Sequence, residues 1–186
     1  LKDVDFVKCA DDIFLRKGES LEGLAQKAVE KLGLPCFIKS NVGGSSFGVT
    51  KVKSEADFEK AVEYAFSEGN MIMAEAAITG RELTCAVYDN GKENVALPVI
   101  EIISENEFFD YEAKYNGHSR EVCPAQISDS LRDQIQEVSK KIYAHLGCAG
   151  LVRVDYICSG DDLYFLEVNT IPGMTSASLV PQMVRA

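Results

Sequence analysis

The sequence lacks long apolar runs, clustered basic residues and closely spaced cysteine pairs, and each absence excludes a class of protein. No stretch approaches the roughly 18 uninterrupted apolar residues of a membrane-spanning helix, and residues 1–12 do not have the charged-then-apolar order of a signal peptide. The net charge is −10, without the Lys/Arg excess that a nucleic-acid surface requires. We therefore expect a cytoplasmic protein that binds neither membrane nor nucleic acid.

The cysteines do not have the spacing of a zinc site. No CxxC pair occurs, and most of the six cysteines lie inside apolar, strand-like runs. They are Cys9, Cys36, Cys85, Cys123, Cys148 and Cys158. We predict that they are buried free thiols.

Both ends of the chain suggest that it is part of a longer protein. The chain begins at Leu1 rather than at methionine, and residues 178–186 read as a helix that stops soon after it begins. At 186 residues, of which 46% are apolar, the chain is long enough to bury a core. We expect a folded fragment.

Helical and strand-like patterns are mixed along the chain. Apolar residues recur at helical spacing in three segments that each end at a glycine, residues 21–33, 58–69 and 131–147. Ser54, three residues before Asp57, resembles a capping box for the second helix. Strand-like runs lie at residues 12–16, 36–39, 49–52, 71–75, 82–88, 95–103, 151–158 and 163–169.

Tight turns at residues 89–91 and 159–162 join neighbouring strand-like runs as hairpins. Hairpins favour antiparallel sheet, so we predict an α+β fold. A boundary falls near residues 71–79, where a strand ends in small residues. We predict two lobes, residues 1–78 and 79–186.

The first segment with a chemical signature is the loop KSNVGGSSFG at residues 39–48. Glycine lets backbone amides approach phosphate oxygens, serine hydroxyls add donors, and Lys39 supplies a positive charge. The ending of a Walker A loop is missing. The residues alone are equally compatible with an ordinary hairpin loop.

The second segment is the pair of strands LVRVDY and LYFLEVN, at residues 151–156 and 163–169. Arg153 and Asp155 share one strand face, as do Glu167 and Asn169. These residues meet only if Asp155 faces Glu167, because a slip of one residue would move Glu167 to the other face. The oxygen ligands suit Mg²⁺, and an exposed salt-bridging face is the alternative.

Two further segments are compatible with a binding site or with plain loops. In NTIPGMTSASL, residues 169–179, Gly173 can expose an amide and Ser176 or Ser178 can cap the following helix. The alternative is a simple strand-to-helix turn. The stretch FFDYEAKYN, residues 108–116, reads either as a lid that carries Lys114 or as an exposed aromatic loop.

Together, and in this order, the four segments resemble the central and C-terminal domains of the D-alanine–D-alanine ligases, within the ATP-grasp superfamily. The resemblance covers nearly the whole chain and rests on GGSSFG, FDYEAKY, LVRVDY and LEVNTIPGMTSASLVP. It implies an ATP-grasp fold in which mixed and antiparallel sheets with flanking helices form two lobes that hold the nucleotide between them. The N-terminal domain of that family would be missing from this chain.

The implied activity is an ATP-dependent ligase that joins two D-alanines through an acyl phosphate for peptidoglycan precursor synthesis. The isolated chain would be inactive. The small-molecule partners would be ATP and D-alanine, and the full-length protein would be a homodimer. The cofactors would be ATP and two Mg²⁺ ions, for which Mn²⁺ could substitute.

The resemblance also assigns roles to individual residues. The nucleotide-binding positions are Lys39, Ser45, Ser46, Glu75, Ala76, Ala77, Ile78, Glu82 and Lys114. The metal ligands are Asp155, Glu167 and Asn169. The catalytic positions are Arg153, Gly173, Ser45 and Tyr115. Of these, Arg153 and the Gly173 amide would stabilise the oxyanion. Ser178 and Leu179 match the positions that hold the second D-alanine.

Two alternatives remain open from the sequence. The first is another ATP-grasp carboxylate–amine ligase that shares the nucleotide and metal sites but takes a different acceptor. The second is a nucleotide-binding module without catalysis. Such a module would have no use for Asp155, Glu167 and Asn169, so we favour the enzyme.

Overall fold

The computed structural model describes residues 1, 4–42, 46–104 and 119–186, and their contacts divide them into two units. The first unit contains the described residues of 10–78, and the second contains those of 1–9, 79–104 and 119–186. Residues 1–9, which the sequence places in the first lobe, group with the second unit because strand β1 (Lys8–Cys9) pairs with strand β11 (Asp162–Asn169). The lobes at 1–78 and 79–186 stay a prediction.

The first unit is an antiparallel four-stranded sheet with helices on one face. Its strands are β2 (Asp12–Arg16), β3 (Cys36–Ser40), β4 (Thr50–Val52) and β5 (Met71–Ala76), in the order β2-β5-β3-β4. Its helices are α1 (Leu24–Leu32) and α2 (Phe58–Glu68), the second preceded by a 3₁₀ turn at Glu55–Asp57. Ile38, Ile72 and Ala74 point into the core shared with these helices, so the alternate residues Lys39, Met73 and Glu75 lie on the other sheet face.

The second unit is built on a seven-stranded sheet with the order β1-β11-β10-β6-β8-β9, and β7 also pairs with β6. The remaining strands are β6 (Arg81–Asp89), β7 (Asn94–Ala96), β8 (Ile100–Ser104), β9 (Ser119–Val122) and β10 (Leu151–Ser159). The helices are α3 (Asp129–His145) and α4 (Leu179–Arg185). Only the short β1–β11 pair is parallel among the described strands.

Helix α3 lies over one face of this sheet. Its residues Ile135, Val138 and Ile142 belong to one core cluster with side chains from β6 and β10. The core residues of those two strands are Leu83, Cys85, Val87, Val152, Val154, Tyr156 and Cys158. The residues between them, including Thr84, Arg153 and Asp155, therefore lie on the opposite face.

The α+β class and the predicted helices and strands are confirmed, with shifts of a few residues at their ends. The run at 95–103 is two strands rather than one. Both pair with β6, and Pro98, which has no amide hydrogen for the ladder, lies between them. Strands β1 and β9 were not predicted, because segments this short carry too little alternation.

The predicted capping box at Ser54 is not present. The Ser54 hydroxyl donates to the Asp57 carboxylate at 2.7 Å, and no side chain caps a backbone amide at this turn.

The prediction that the cysteines are free thiols is confirmed, and the prediction that they are buried is confirmed for three of the six. All six thiols are free, and Cys36, Cys85 and Cys158 are buried whereas the other three are half-buried. Burial raises the pKa of the Cys85 thiol to about 12. In the described part of the chain, no helix is both long and apolar enough to cross a membrane.

Strand β6 begins next to a position that excludes a side chain. A Cβ atom on Gly80 would lie 2.2 Å from the Cys158 carbonyl oxygen on the neighbouring strand. We expect Gly80→Ala to lower the free energy of unfolding by about 3 kcal/mol or more, because two paired strands would have to separate. Urea denaturation followed by circular dichroism measures the loss.

Gly91→Ala is the matched control. A Cβ atom there meets nothing within 4 Å, but φ is +85°, so the expected loss is only the left-handed backbone strain of about 1–2 kcal/mol. Equal losses in the two variants would contradict the assigned contact.

Candidate functional site

The β10–β11 hairpin brings four polar residues together because it has the register that their meeting requires. Arg153 pairs with Asn169, and Asp155 pairs with Glu167, so all four lie on the sheet face away from α3. Between Asp155 and Tyr156 the register shifts by one residue at a bulge. At the site end the register is therefore the one that the metal-ligand interpretation requires, and at the other end Ser159 pairs with Asp162 across the predicted turn at residues 159–162.

The Asp155 carboxylate is the centre of the cluster. Arg153 donates to it twice, from Nε to Oδ1 and from Nη2 to Oδ2, each at 2.8 Å. Asn169 Nδ2 donates to Oδ2 at 2.9 Å, and Thr84 Oγ1 donates to Oδ1 at 2.6 Å. Asp155 is only 6% exposed, so these bonds replace nearly all of its hydration.

Asn169 also links the two carboxylates, since its Nδ2 donates to Glu167 Oε1 at 3.2 Å. Two carboxylates and an amide on one face form a donor set of hard oxygens, which fits Mg²⁺. Coordination by Asn169 would use its Oδ1 atom, the other end of the amide. No cluster of three or more His, Cys, Asp or Glu side chains with metal-site geometry occurs among the described residues, so the third protein ligand here would have to be Asn169.

Arg153 carries a permanent positive charge within an acidic surround. Burial alone would lower the pKa of its guanidinium, but the hydrogen bonds to Asp155 and the negative charges of Asp155, Glu167 and Glu82 raise that pKa above its ordinary value. Glu82 lies on β6, paired with Ile157 of β10. The cluster therefore places three carboxylates around the mostly buried guanidinium of Arg153.

In the first unit, Lys39 and Glu75 form an ion pair with a distance of 2.6 Å between Nζ and Oε1. Lys39 pairs with Met73, so Glu75 is its diagonal neighbour on the sheet face that the helices do not cover. Both side chains are mostly buried, at 20% and 14% exposure. This pair places a cation and an anion side by side at the end of β5.

The segment from Glu75 to Ile78 begins in β5 and continues beyond it. Ala76 ends the strand, and its amide donates to the Asp11 carbonyl at 2.8 Å. Ala77 and Ile78 follow outside regular structure and are half-buried.

The glycine-rich loop and the aromatic stretch are described only in part. Ser45, Lys114 and Tyr115 lie outside the described residues. Ser46 is half-buried and has a left-handed backbone, with φ of 61°, and Gly48 follows with φ of 70°.

Gly173 and Ser178 lie close together after β11. A Cβ atom on Gly173 would lie 2.9 Å from Ser178 Oγ. Ser178 is the N-cap residue of α4, but its hydroxyl accepts from the Thr175 amide at 3.0 Å, and no side chain caps the helix. The predicted capping by Ser176 or Ser178 is therefore wrong. Leu179 begins the helix and is buried.

Sequence reasoning missed Thr84. Its hydroxyl contacts Asp155 from the neighbouring strand β6. The available signal was the alternation along residues 82–88, which places Thr84 on the same face as Glu82.

The buried charge cluster predicts the effect of removing its cation. Arg153→Gln leaves Asp155 buried, with Glu167 and Glu82 nearby, and removes the positive charge that donates to it twice. We expect a loss of about 3–5 kcal/mol in the free energy of unfolding, measured by urea denaturation with EDTA present.

Arg132→Gln is the control, because Arg132 bonds to Asp129 and Asp133 on the exposed side of α3. Solvent screens that pair, so we expect little change. A stability of Arg153→Gln equal to that of this control would contradict the central role of Arg153 in the cluster.

The chain is similar to D-alanine–D-alanine ligases in sequence. The family model described as the D-ala D-ala ligase C-terminus matches residues 3–186. The D-alanine–D-alanine ligase of Bacteroides fragilis is 49% identical over 181 residues, which are 97% of this chain and 55% of that ligase. The chain therefore spans about half the length of the curated relatives it matches.

Two solved structures extend the similarity to the fold. VanG D-Ala:D-Ser ligase from Enterococcus faecalis is 37% identical with a TM-score of 0.84, over 96% of this chain and 52% of that one. The D-alanine–D-alanine ligase from Bacillus anthracis complexed with ATP is 31% identical with a TM-score of 0.76, over 96% of this chain and 55% of that one.

Proposed function

Because this chain belongs to the D-alanine–D-alanine ligase family, we propose that it supplies the ATP-dependent machinery of a ligase that joins two D-alanines for peptidoglycan precursor synthesis. The observation that carries the proposal is the convergence of Arg153, Asp155, Glu167 and Asn169 on one sheet face. A protein that only bound nucleotide would not need a buried cation next to a set of metal ligands. The cluster therefore favours catalysis over simple binding.

In this proposal Asp155, Glu167 and Asn169 hold two Mg²⁺ ions, and Mn²⁺ is an acceptable substitute. When bound, the metal supplies positive charge that offsets the charge on the phosphate oxygens of ATP. The chain's own contribution is the orientation of the ligands. Asp155 is fixed from three sides, by Arg153, Asn169 and Thr84, before any ligand arrives.

Lys39 would add a second, fixed positive charge at the phosphates. Its ion-pair partner Glu75 begins the segment that we propose contacts adenine, which runs from Glu75 to Ile78. Glu82 would hold the ribose hydroxyls. The Bacillus anthracis relative is described in complex with ATP, which supports nucleotide binding by this chain. Ser45, Ser46 and Lys114 complete the proposed phosphate contacts.

Arg153 and the amide of Gly173 would stabilise the oxyanion that forms when the second amine attacks the acyl phosphate. A donor directed at such an oxyanion typically contributes about 10²–10³ in rate. Arg153 suits this role because its surround keeps it ionised. Tyr115, Ser178 and Leu179 are the proposed contacts of the amino-acid substrates.

One observation favours a second candidate that differs only in the acceptor. The Enterococcus faecalis structure with a TM-score of 0.84 is a D-Ala:D-Ser ligase. The curated relatives at 44–49% identity are D-alanine–D-alanine ligases, so D-alanine is the acceptor we favour. The cytoplasmic location and the homodimer stay predictions.

The acceptor is tested with the full-length protein that contains this chain. We expect ADP release to depend on D-alanine and to exceed the rates with D-serine or D-lactate as acceptor. The isolated chain, assayed beside it, should bind Mg-ATP weakly and make no dipeptide, because proximity between the two substrates is lost. Comparable turnover from both would show that this chain is catalytically sufficient.

Glu167→Gln in the full-length protein tests the metal site. The change keeps the shape of the side chain and removes its charge, so turnover should fall by about 10²-fold or more with little change in melting temperature. Glu137→Gln, on the exposed side of α3, is the matched control and should keep its activity. Near-normal turnover of Glu167→Gln would rule out a role of Glu167 as metal ligand.

A further inference from the structure

A fully buried threonine contacts the proposed metal site from the neighbouring strand. Thr84 is 0% exposed and pairs with Asp155 across the β6–β10 ladder. Its Oγ1 atom lies 2.6 Å from Asp155 Oδ1 and 3.2 Å from the Val154 carbonyl oxygen. A hydroxyl has one proton to donate, and the shorter contact to a charged acceptor is the stronger bond. The Thr84 hydroxyl therefore donates its hydrogen bond to the Asp155 carboxylate.

Thr84 differs from the other two partners of Asp155. In the proposed function Arg153 also serves the oxyanion, and Asn169 also serves the metal. Within the described part of the chain, Asp155 is the one charged group to which the Thr84 hydroxyl bonds. Its β-branched side chain also has few rotamers, so the hydroxyl is held in place by the strand itself.

The geometry separates the two oxygens of Asp155. Thr84 bonds to Oδ1 alone and Asn169 bonds to Oδ2 alone, the oxygen on the side of the other two proposed ligands, whereas Arg153 bonds to both oxygens. The Thr84 bond is a second donor to Oδ1, beside Arg153 Nε, and it helps to hold the rotation of the carboxylate from strand β6. It leaves Oδ2 directed at Asn169 and Glu167.

We infer that Thr84 is a positioning residue for the metal site, one that holds the Asp155 carboxylate so that Oδ2 is presented to the cation. This inference rests on the proposed function. Loss of such an outer hydrogen bond typically weakens metal binding about 10–100-fold. A residue that served packing alone would leave metal binding unchanged when only its hydroxyl is removed.

The test compares Thr84→Val, which keeps the branched shape and removes the hydroxyl, with Thr84→Ser, which keeps the hydroxyl and removes the methyl group. Mn²⁺ binding to the full-length protein is measured by electron paramagnetic resonance, with a non-hydrolysable ATP analogue present. We expect Thr84→Val to bind Mn²⁺ about 10–100-fold more weakly and Thr84→Ser to stay close to wild type. Thermal unfolding is recorded for both variants.

Mn²⁺ binding by Thr84→Val at the wild-type level, with only its melting temperature lowered, would overturn the inference and leave the proposed function intact. If the wild-type protein itself took up no Mn²⁺ with the analogue, the proposed function would fail and this inference with it. If Thr84→Val does not fold, Thr84→Ala compared with Thr84→Ser makes the same comparison. Equal Mn²⁺ binding in that pair would also overturn it.

Discussion

The pairing of Asp155 with Glu167 across the β10–β11 hairpin is the constraint on which the whole site depends. Because side chains alternate along a strand, a slip of one residue would turn Glu167 into the core beneath α3. A carboxylate buried there without a partner costs several kcal/mol. The apolar residues Leu163, Phe165 and Val168 of β11, which pack on the same core as α3, therefore maintain the register that keeps the acidic residues together on the other face.

One face of the sheet contributes to stability, and the other face carries the proposed chemistry. In the core cluster, β6 and β10 contribute apolar and thiol side chains and the bonded Tyr156 hydroxyl, which pairs with Ser139 of α3 at 2.7 Å. On the site face, the same strands present Glu82, Thr84, Arg153 and Asp155. Rigid strands carry these groups, and rigid strands position a site better than loops do.

The charges of the cluster suit a cation site. Arg153 lies among three carboxylates, of Asp155, Glu167 and Glu82, in a partly buried place. Carboxylates in such a place attract a divalent cation and interact with it more strongly, because water screens them less than at the surface.

The sequence by itself determined the α+β class, the helices that end at Gly33, Gly69 and Gly147, and the family, because these depend on periodicity, local turns and contiguous motifs. The sequence permitted the register of the β10–β11 hairpin, and the structure decided it. The split of residues 95–103 and the failed caps at Ser54 and Ser178 depended on local competition among hydrogen bonds. Thr84 lies 71 residues before Asp155, and only the pairing of β6 with β10 brings its hydroxyl to that carboxylate. The tertiary structure alone decided this contact, because a pattern within one segment cannot specify which strand will lie beside it.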